Sequence, residues 1–448
     1  MYRIHFIAIG GAAMHNLAIA LNKKGYQVTG SDDEIFEPSR SQLEKYGLLP
    51  MEYGWFPSKL SKEIDAIILG MHAKPDNPEL IRARELGLKI YSYPEYLYEQ
   101  TKNKTRVVIA GSHGKTTITA ILIHVLHCNN ITIDFMVGSK IEGFDTMVAL
   151  NDESEIAVFE GDEYLSSPLD RRPKFLHYKP HIALISGIAW DHFNVFPTFN
   201  NYIQQFRKLI ENVSSNGHIV FFEGDENVKK LTRFAHRDVQ FHPYTEHGFI
   251  YDRERISLVT SEEKEIPVQI FGRHNMQNIN GAKIICTILG LSDEQFYKAL
   301  AAFPGTAKRL QILEQRDSYT CFLDFAHSPS KVKATLQAVR ERFPDRKLYA
   351  ILELHTFSSL NKAFIPNYKG TMDDADEAIV FYDENVLINK NLEMIPTAFI
   401  KKCFRNPKVN VMSKKEYLET YLKQINKINS VLLLMSSGNF GGLSITQI

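Results

Sequence analysis

Short apolar runs recur along the chain with helix-like stretches between them. In the first hundred residues, Ile4 to Ile9, Tyr26 to Gly30 and Ile64 to Leu69 read as strands and Met14 to Lys24 as a helix. A second set contains strands at Arg106 to Ala110, Ile156 to Phe159, Ile182 to Ile185 and Ile219 to Phe222, with a helix at Ala282 to Leu289. A third contains strands at Cys321 to Phe325, Leu348 to Leu352 and Val431 to Met435, with a helix at Ser330 to Phe343. Strands alternating with helices predict parallel sheets with crossover helices, an α/β fold. The polar stretch Tyr98 to Thr105 and the Pro-Gly break at Phe303-Pro304-Gly305-Thr306 divide the chain into 1–103, 104–302 and 303–448. Three domains are also what 448 residues suggest at roughly 150 per domain.

Composition narrows the partners. The 52 basic and 52 acidic side chains cancel, so the chain lacks the field that draws a protein to nucleic acid, and none is expected as a main partner. Cys128, Cys286, Cys321 and Cys403 are far apart and form no metal-ligand or disulfide pattern. The apolar start Ile4 to Ile9 is too short for a signal segment, and no uncharged run reaches the roughly 18–20 residues that cross a bilayer. No membrane insertion and a cytoplasmic location are therefore expected.

Two glycine turns carry candidate chemistry. Ala8-Ile9-Gly10-Gly11-Ala12-Ala13-Met14 follows a strand and opens a helix, the setting in which backbone N–H groups hold a phosphate. Against G-x-G-x-x-G, it has alanine at two of the three glycine positions. Ser31-Asp32 ends the next strand, where a carboxylate suits a sugar hydroxyl. The second turn, Gly111-Ser112-His113-Gly114-Lys115-Thr116-Thr117, lies between a buried strand and a strong helix. Its glycines let the backbone wrap phosphates, Lys115 neutralises charge and the Thr116 hydroxyl suits Mg²⁺. G-x-x-G-K-T is two residues shorter than the usual ATPase loop. Oxygen ligands for such a metal are offered by Glu160, Asp162 and Glu163 after one strand and by Asp191-His192 after another.

The order of these motifs, followed by Gly272-Arg273-His274-Asn275-Met276-Gln277-Asn278 and Asp324-Phe325-Ala326-His327-Ser328-Pro329, resembles the Mur ligase family across the whole chain. These are ATP-dependent amide-forming enzymes of peptidoglycan synthesis. The resemblance implies a Rossmann-like UDP-binding domain, a central P-loop-type ATPase domain and a C-terminal Rossmann-like domain. It further implies that Gly10, Gly11, Ala12, Ser31 and Asp32 hold UDP-N-acetylmuramate, and that Gly111 through Thr117, His274, Asn275, Asn278, Arg309 and Asp324 hold ATP. Thr116, Glu163 and His192 are implied as Mg²⁺ ligands. Lys115, Glu163, His192 and Arg309 would act on the phosphates, and His327 would lie near the incoming amine. The muramoyl carboxylate would be phosphorylated by ATP and the acyl phosphate captured by an amine, with closure of the third domain onto the second.

Within the family, Asp162-Glu163-Tyr164-Leu165-Ser166-Ser167-Pro168-Leu169-Asp170-Arg171-Arg172-Pro173-Lys174-Phe175-Leu176-His177-Tyr178 is similar to the branch that attaches the murein tripeptide L-alanyl-γ-D-glutamyl-meso-diaminopimelate in peptidoglycan recycling. The ending Met435-Ser436-Ser437-Gly438-Asn439-Phe440-Gly441-Gly442 points the same way. The alternative is the branch that adds L-alanine to UDP-N-acetylmuramate. Three departures stand out. Ala8 and Ala13 replace glycines, Gly187-Ile188-Ala189-Trp190 replaces N-I-E-x, and Leu354-His355-Thr356-Phe357-Ser358-Ser359 lacks the arginine of P-R-S-x-T. Lys208 is a poor match for the carbamylated lysine of some members. Read without the resemblance, the first turn alone would fit an NAD-dependent oxidoreductase, and the second alone a P-loop ATPase.

Overall fold

The computed structural model describes residues 2–190 and 195–443. It contains four sheets among these residues, three of them mainly parallel. The first is formed by β1 (Arg3–Ile7), β2 (Gln27–Ser31), β3 (Ala66–Leu69) and β4 (Ile90–Ser92) in the order β2-β1-β3-β4, all parallel. The second contains β5 (Thr105–Ala110), β6 (Ile133–Met136), β7 (Val148–Ala149), β8 (Ile156–Glu160), β9 (Ile182–Ile185), β10 (His218–Phe222) and β11 (Gln240–Tyr244). Its order is β11-β10-β9-β5-β8-β6-β7, parallel except for the edge strand β7. The predicted strands fall within two residues of these bounds.

Two sheets follow. The strands β12 (Phe249–Asp252), β13 (Arg255–Val259) and β14 (Glu265–Val268) form an antiparallel meander that the sequence pattern had not disclosed. The last sheet contains β15 (Gln311–Arg316), β16 (Tyr319–Asp324), β17 (Lys347–Glu353), β18 (Glu377–Phe381), β19 (Val409–Met412) and β20 (Ser430–Met435), in the order β15-β16-β20-β17-β18-β19. Only β15 runs antiparallel.

The chain forms two compact units. One comprises Met1–Ile188, Phe199–Thr245 and Gly281–Leu300, and the other Ala189–Thr198, Glu246–Asn280 and Ala301–Ile448. Within the first unit, β5 is central and apolar from Val107 to Ala110, and the helix Lys115–Cys128 that follows it buries Ile118, Ala120, Ile121, Leu122, Ile123, Val125 and Leu126. A helix apolar on so many sides has to be covered by neighbours, which fixes the phosphate turn at its start to the centre of a core. The helix Phe199–Glu211 buries one stripe, Tyr202, Phe206, Leu209 and Ile210, the spacing of an amphipathic helix lying on that core. Among the described residues no helix is long and apolar enough to cross a membrane.

A histidine and a carboxylate with no exposure face each other in the first sheet's core. His5 Nε2 stands 3.3 Å from Glu79 Oε2, and both side chains are fully buried. His5 Nδ1 also meets Thr29 Oγ1 at 2.8 Å, and the other Glu79 oxygen accepts from the Phe56 amide at 2.7 Å. Burial pushes the Glu79 carboxyl up, but the bonds from His5 and the Phe56 amide outweigh it and hold the group below its usual range. A carboxyl with a depressed value stabilises the fold above its unfolded pKa, and that contribution is lost as pH falls through the folded value. Glu79→Gln is therefore expected to lower stability at pH 7 by about 3 kcal/mol. Denaturant titrations from pH 7 to 3 should show the variant losing less stability than wild type below about pH 4.

Candidate active site

The second glycine turn is built as a phosphate cradle. Gly111 has φ +120, and a Cβ there would collide with Ser186 Oγ; Gly114 has φ +74 and caps the helix Lys115–Cys128. Both positions use backbone conformations that glycine reaches without strain. Ser186, at the end of β9, donates from its hydroxyl to the His113 carbonyl, and the Ser112 amide donates to the Gly187 carbonyl at 2.9 Å. Gly187 itself has φ +136, so the departure from asparagine gives this bend a residue that adopts it freely.

Around the loop, carboxylates and cations are paired. Lys115 Nζ donates to Glu163 Oε2 at 2.8 Å and to the Gly111 carbonyl at 2.7 Å. Burial works to deprotonate this ammonium, but Glu163, Asp162 and Glu160 hold its pKa above the usual lysine range. Thr116 Oγ1 donates to Glu160 Oε1 at 2.9 Å, and the Gly138 amide donates to Glu160 Oε2 at 2.7 Å. Tyr202 Oη donates to Glu163 Oε1 at 2.8 Å and lies 2.9 Å from Ser112 Oγ. Ser112, Lys115, Thr116 and Glu163 are thus brought together, with Thr117 buried in the same first turn. Glu160, which the sequence offers as a metal ligand, joins them through Thr116, and Tyr202 and Ser186 complete the group, although sequence reasoning gave neither of these two a site role. A hydroxyl-bearing aromatic on the buried stripe of Phe199–Glu211 was the available signal for Tyr202. Lys208 is exposed on that helix. His192 and Asp191 lie outside the described residues.

The donor set suits a hard divalent cation. A threonine hydroxyl and the Glu160, Asp162 and Glu163 carboxylates at the end of β8 are all oxygen ligands, the chemistry Mg²⁺ selects. Residues after Glu163 turn back in a hairpin. Ser166 N donates to Arg172 O at 3.0 Å and Lys174 N to Tyr164 O at 3.0 Å, while Lys174 Nζ holds Asp162 Oδ2 at 2.6 Å. Asp170 pairs with Arg172 at 2.6 Å and with His177 at 3.2 Å.

At the first turn, the Gly10 amide donates to Asp32 Oδ2 at 2.7 Å, and a Cβ on Gly10 would come within 2.9 Å of that oxygen and of Ile35. Gly11 caps the helix Ala12–Lys23 with no side-chain hydrogen bond, leaving the first-turn amides to a ligand or solvent. Ser31 is fully buried beneath the turn. Ala8 takes φ +68, a conformation that strains any residue with a Cβ, which accounts for glycine at this position in the family pattern. The Asp32 carboxyl is pushed up to about 6, mainly by burial and against the bond from Gly10, with Asp33 adding to the rise.

The second unit carries the remaining candidates. Asp324, at the end of β16, accepts from the amides of Leu310 at 2.7 Å and Ala326 at 2.8 Å, and from Thr335 Oγ1 at 3.3 Å. This carboxylate pins the Arg309 turn to the His327 turn, so a ribose contact would use its remaining lone pairs. The Arg309 guanidinium lies over the Phe325 ring at 4.6 Å, and His327 Nδ1 meets the Phe325 carbonyl at 2.8 Å. His274, Asn275 and Asn278 fall inside the helix Arg273–Ile288, which starts nine residues before the predicted one. Asn275 Nδ2 donates to the Phe271 carbonyl at 2.8 Å and Asn278 Nδ2 to Asn275 Oδ1 at 3.1 Å. Burial pushes the His274 imidazole down, opposed by nearby Asp324. Where P-R-S-x-T would stand, Lys390 Nζ donates to the His355 carbonyl at 2.7 Å.

The sequence matches the Mur ligase family catalytic domain over residues 3–105, the Mur ligase middle domain over 109–286 and the Mur ligase glutamate ligase domain over 308–438. A UDP-N-acetylmuramate–L-alanine ligase from Sulfurihydrogenibium sp. is 30% identical, over 99% of this chain and 96% of its own. The chain belongs to the Mur ligase family. It is accordingly an ATP-dependent amide-forming ligase, as Mur ligases are. The UDP-N-acetylmuramate–L-alanyl-γ-D-glutamyl-meso-2,6-diaminoheptandioate ligase of Haemophilus influenzae is 26% identical, over 99% of this chain and 98% of its own. A solved UDP-N-acetylmuramate:L-alanyl-γ-D-glutamyl-meso-diaminopimelate ligase from Neisseria meningitides shares the fold with TM-score 0.60 at 28% identity, over 68% of this chain and 98% of that one. Relatives of this Mur ligase therefore act on UDP-N-acetylmuramate with either an amino acid or a peptide.

A carboxyl raised to about 6 is a cost to folding. Between the unfolded and folded values the unfolded chain has released more protons, so stability falls as pH rises through that window and the deficit persists above it. Asp32→Asn should stabilise the ligand-free Mur ligase at pH 7 by roughly 1–3 kcal/mol. Thermal unfolding at pH 7 and pH 5 checks both the size and its loss at lower pH.

Proposed function

We propose that this Mur ligase joins L-alanyl-γ-D-glutamyl-meso-diaminopimelate to UDP-N-acetylmuramate in peptidoglycan recycling, in the cytoplasm. The observation that carries this reading is the segment from Asp162 to Tyr178, which contains the hairpin from Tyr164 to Lys174 and whose residues Asp170, Arg172, Lys174, Phe175, His177 and Tyr178 follow the recycling branch's pattern. Arg172 is ion-paired with Asp170, and Lys174 with Asp162 just past β8. Residues 1–103, 104–302 and 303–448 are assigned to the UDP-sugar, ATP and amine-accepting parts.

In this reading, Gly10, Gly11 and Ala12 offer backbone amides to the UDP phosphates and Asp32 accepts from a sugar hydroxyl, with Ser31 supporting the turn from below. The amides from Gly111 to Thr117 wrap the ATP phosphates. Lys115 is fully charged in its ring of carboxylates, so it can transfer its attraction from Glu163 to the phosphoryl oxygens. Thr116, Glu163 and His192 would hold Mg²⁺, which supplies charge neutralisation on the phosphates when bound. Arg309 takes part on the phosphate side and His327 near the amine, both oriented by the turn that Asp324 pins. Asn275, Asn278 and His274 form the adenine-side helix start. The muramoyl carboxylate oxygen attacks the γ-phosphorus, ADP leaves, and the peptide's amine nitrogen then displaces phosphate from the acyl carbon.

A second reading, L-alanine as acceptor, is favoured by the identity to the Sulfurihydrogenibium ligase. Phosphate release with ATP, Mg²⁺ and UDP-N-acetylmuramate distinguishes the two. Turnover is expected with the tripeptide and not with L-alanine; turnover with L-alanine alone would establish the second reading. With the preferred acceptor, Lys115→Met should lower kcat by roughly 10²–10³-fold.

A further inference from the structure

We propose that Tyr202 is a positioning residue for the ATP site, holding Glu163 in place when Lys115 turns to the nucleotide. The inference rests on the reading of Glu163 as a Mg²⁺ ligand.

Glu163 is 1% exposed. One oxygen faces Lys115 and the other accepts the Tyr202 hydroxyl proton, each at 2.8 Å. Tyrosine has a single proton to give, so the 2.9 Å contact between Tyr202 and Ser112 runs the other way. Ser112 donates to Tyr202, and Tyr202 donates to Glu163. The chain of hydroxyls thus joins a residue of the phosphate loop to the carboxylate through the buried face of the helix Phe199–Glu211. Tyr202 is itself fully buried and its ring packs edge-on to Phe206, with centroids 5.2 Å apart. Its hydroxyl therefore reaches Glu163 from a fixed platform.

The two donors differ in what a nucleotide does to them. Lys115 is a mobile ammonium on a loop shaped for phosphate, and arriving phosphoryl oxygens compete for it. Tyr202 is a neutral donor with no such competitor. Once Lys115 is shared, the phenol remains to fix the rotation of Glu163, keeping the oxygen that faced Lys115 directed into the loop. Without that bond the buried carboxylate loses a donor that fixes its rotation.

The test compares the affinity of the full-length enzyme for β,γ-imido-ATP with and without Mg²⁺, by calorimetry. The readout is the ratio of the two, which a general loosening of the loop would leave unchanged. Glu163→Gln should collapse the ratio. Tyr202→Phe should reduce it roughly tenfold, the weight of a hydrogen bond to a buried charged group, with Mg²⁺-free affinity close to wild type. If Glu163→Gln leaves the ratio intact, the ligand reading fails and the role of Tyr202 with it. If Glu163→Gln collapses the ratio and Tyr202→Phe does not, the Tyr202 proposal alone is overturned. Should Tyr202→Phe not fold, as judged by circular dichroism, Ser112→Ala decides. That change removes the donor to Tyr202 and is expected to lower the ratio about two- to threefold; an unchanged ratio overturns the proposal.

Discussion

A carboxylate that is almost wholly buried cannot stay ionised without donors, and Glu163 is such a carboxylate. The neighbourhood is organised around that requirement. Lys115 must come from the start of a helix whose residues from Thr116 to Ile123 are core, so the strand β5, the glycine turn and the helix Lys115–Cys128 share one rigid arrangement. Tyr202 must come from a second helix laid across the same core. Glu160 is satisfied separately by Thr116 and Gly138. Charges that would repel in isolation are therefore spaced by their donors, and the ligand-free loop already has the shape and polarity that a triphosphate requires.

A similar economy governs the other sites at the ends of parallel strands. Asp32 follows β2 and receives the Gly10 amide; Asp324 ends β16 and receives amides from both flanking turns. In each case a carboxylate fixes the backbone of a turn before any ligand is present. The difference is in the balance. Asp324 has three donors, whereas the bond from Gly10 to Asp32 is outweighed by burial, and its carboxyl is raised to about 6. Preorganisation at the first turn is thus held at a cost in stability.

Much of this was legible in the chain. Strands made of continuous apolar runs, such as Ile182 to Ile185, announced themselves, and both glycine turns appeared where a strand gives way to a helix. What escaped notice had weaker signals. The start of Arg273–Ile288 is rich in asparagine, which ordinarily favours caps and turns over helix interiors, so the periodic part began to show only at Ala282. The meander β12–β14 consists of short, half-exposed strands in which Ile256 and Leu258 alone are deeply buried on β13. Pairing is the hardest to read. Thr116 with Glu160 and Tyr202 with Glu163 join residues more than thirty positions apart, and no local spacing encodes them.

The strand order of the last sheet has a consequence for how the protein is made. Tyr319 on β16 and Lys347 on β17 both pair with Ser430 on β20, which therefore lies between two strands synthesised long before it. Until β20 leaves the ribosome, β16 and β17 have no common neighbour, and their facing edges expose unsatisfied backbone groups. The first two sheets close with strands already translated by Tyr244. Assembly should accordingly be sequential, with a late step in which one apolar strand is threaded into a waiting gap. During that interval the nascent chain would present its most adhesive surface, and it is there that a chaperone would have the most to do.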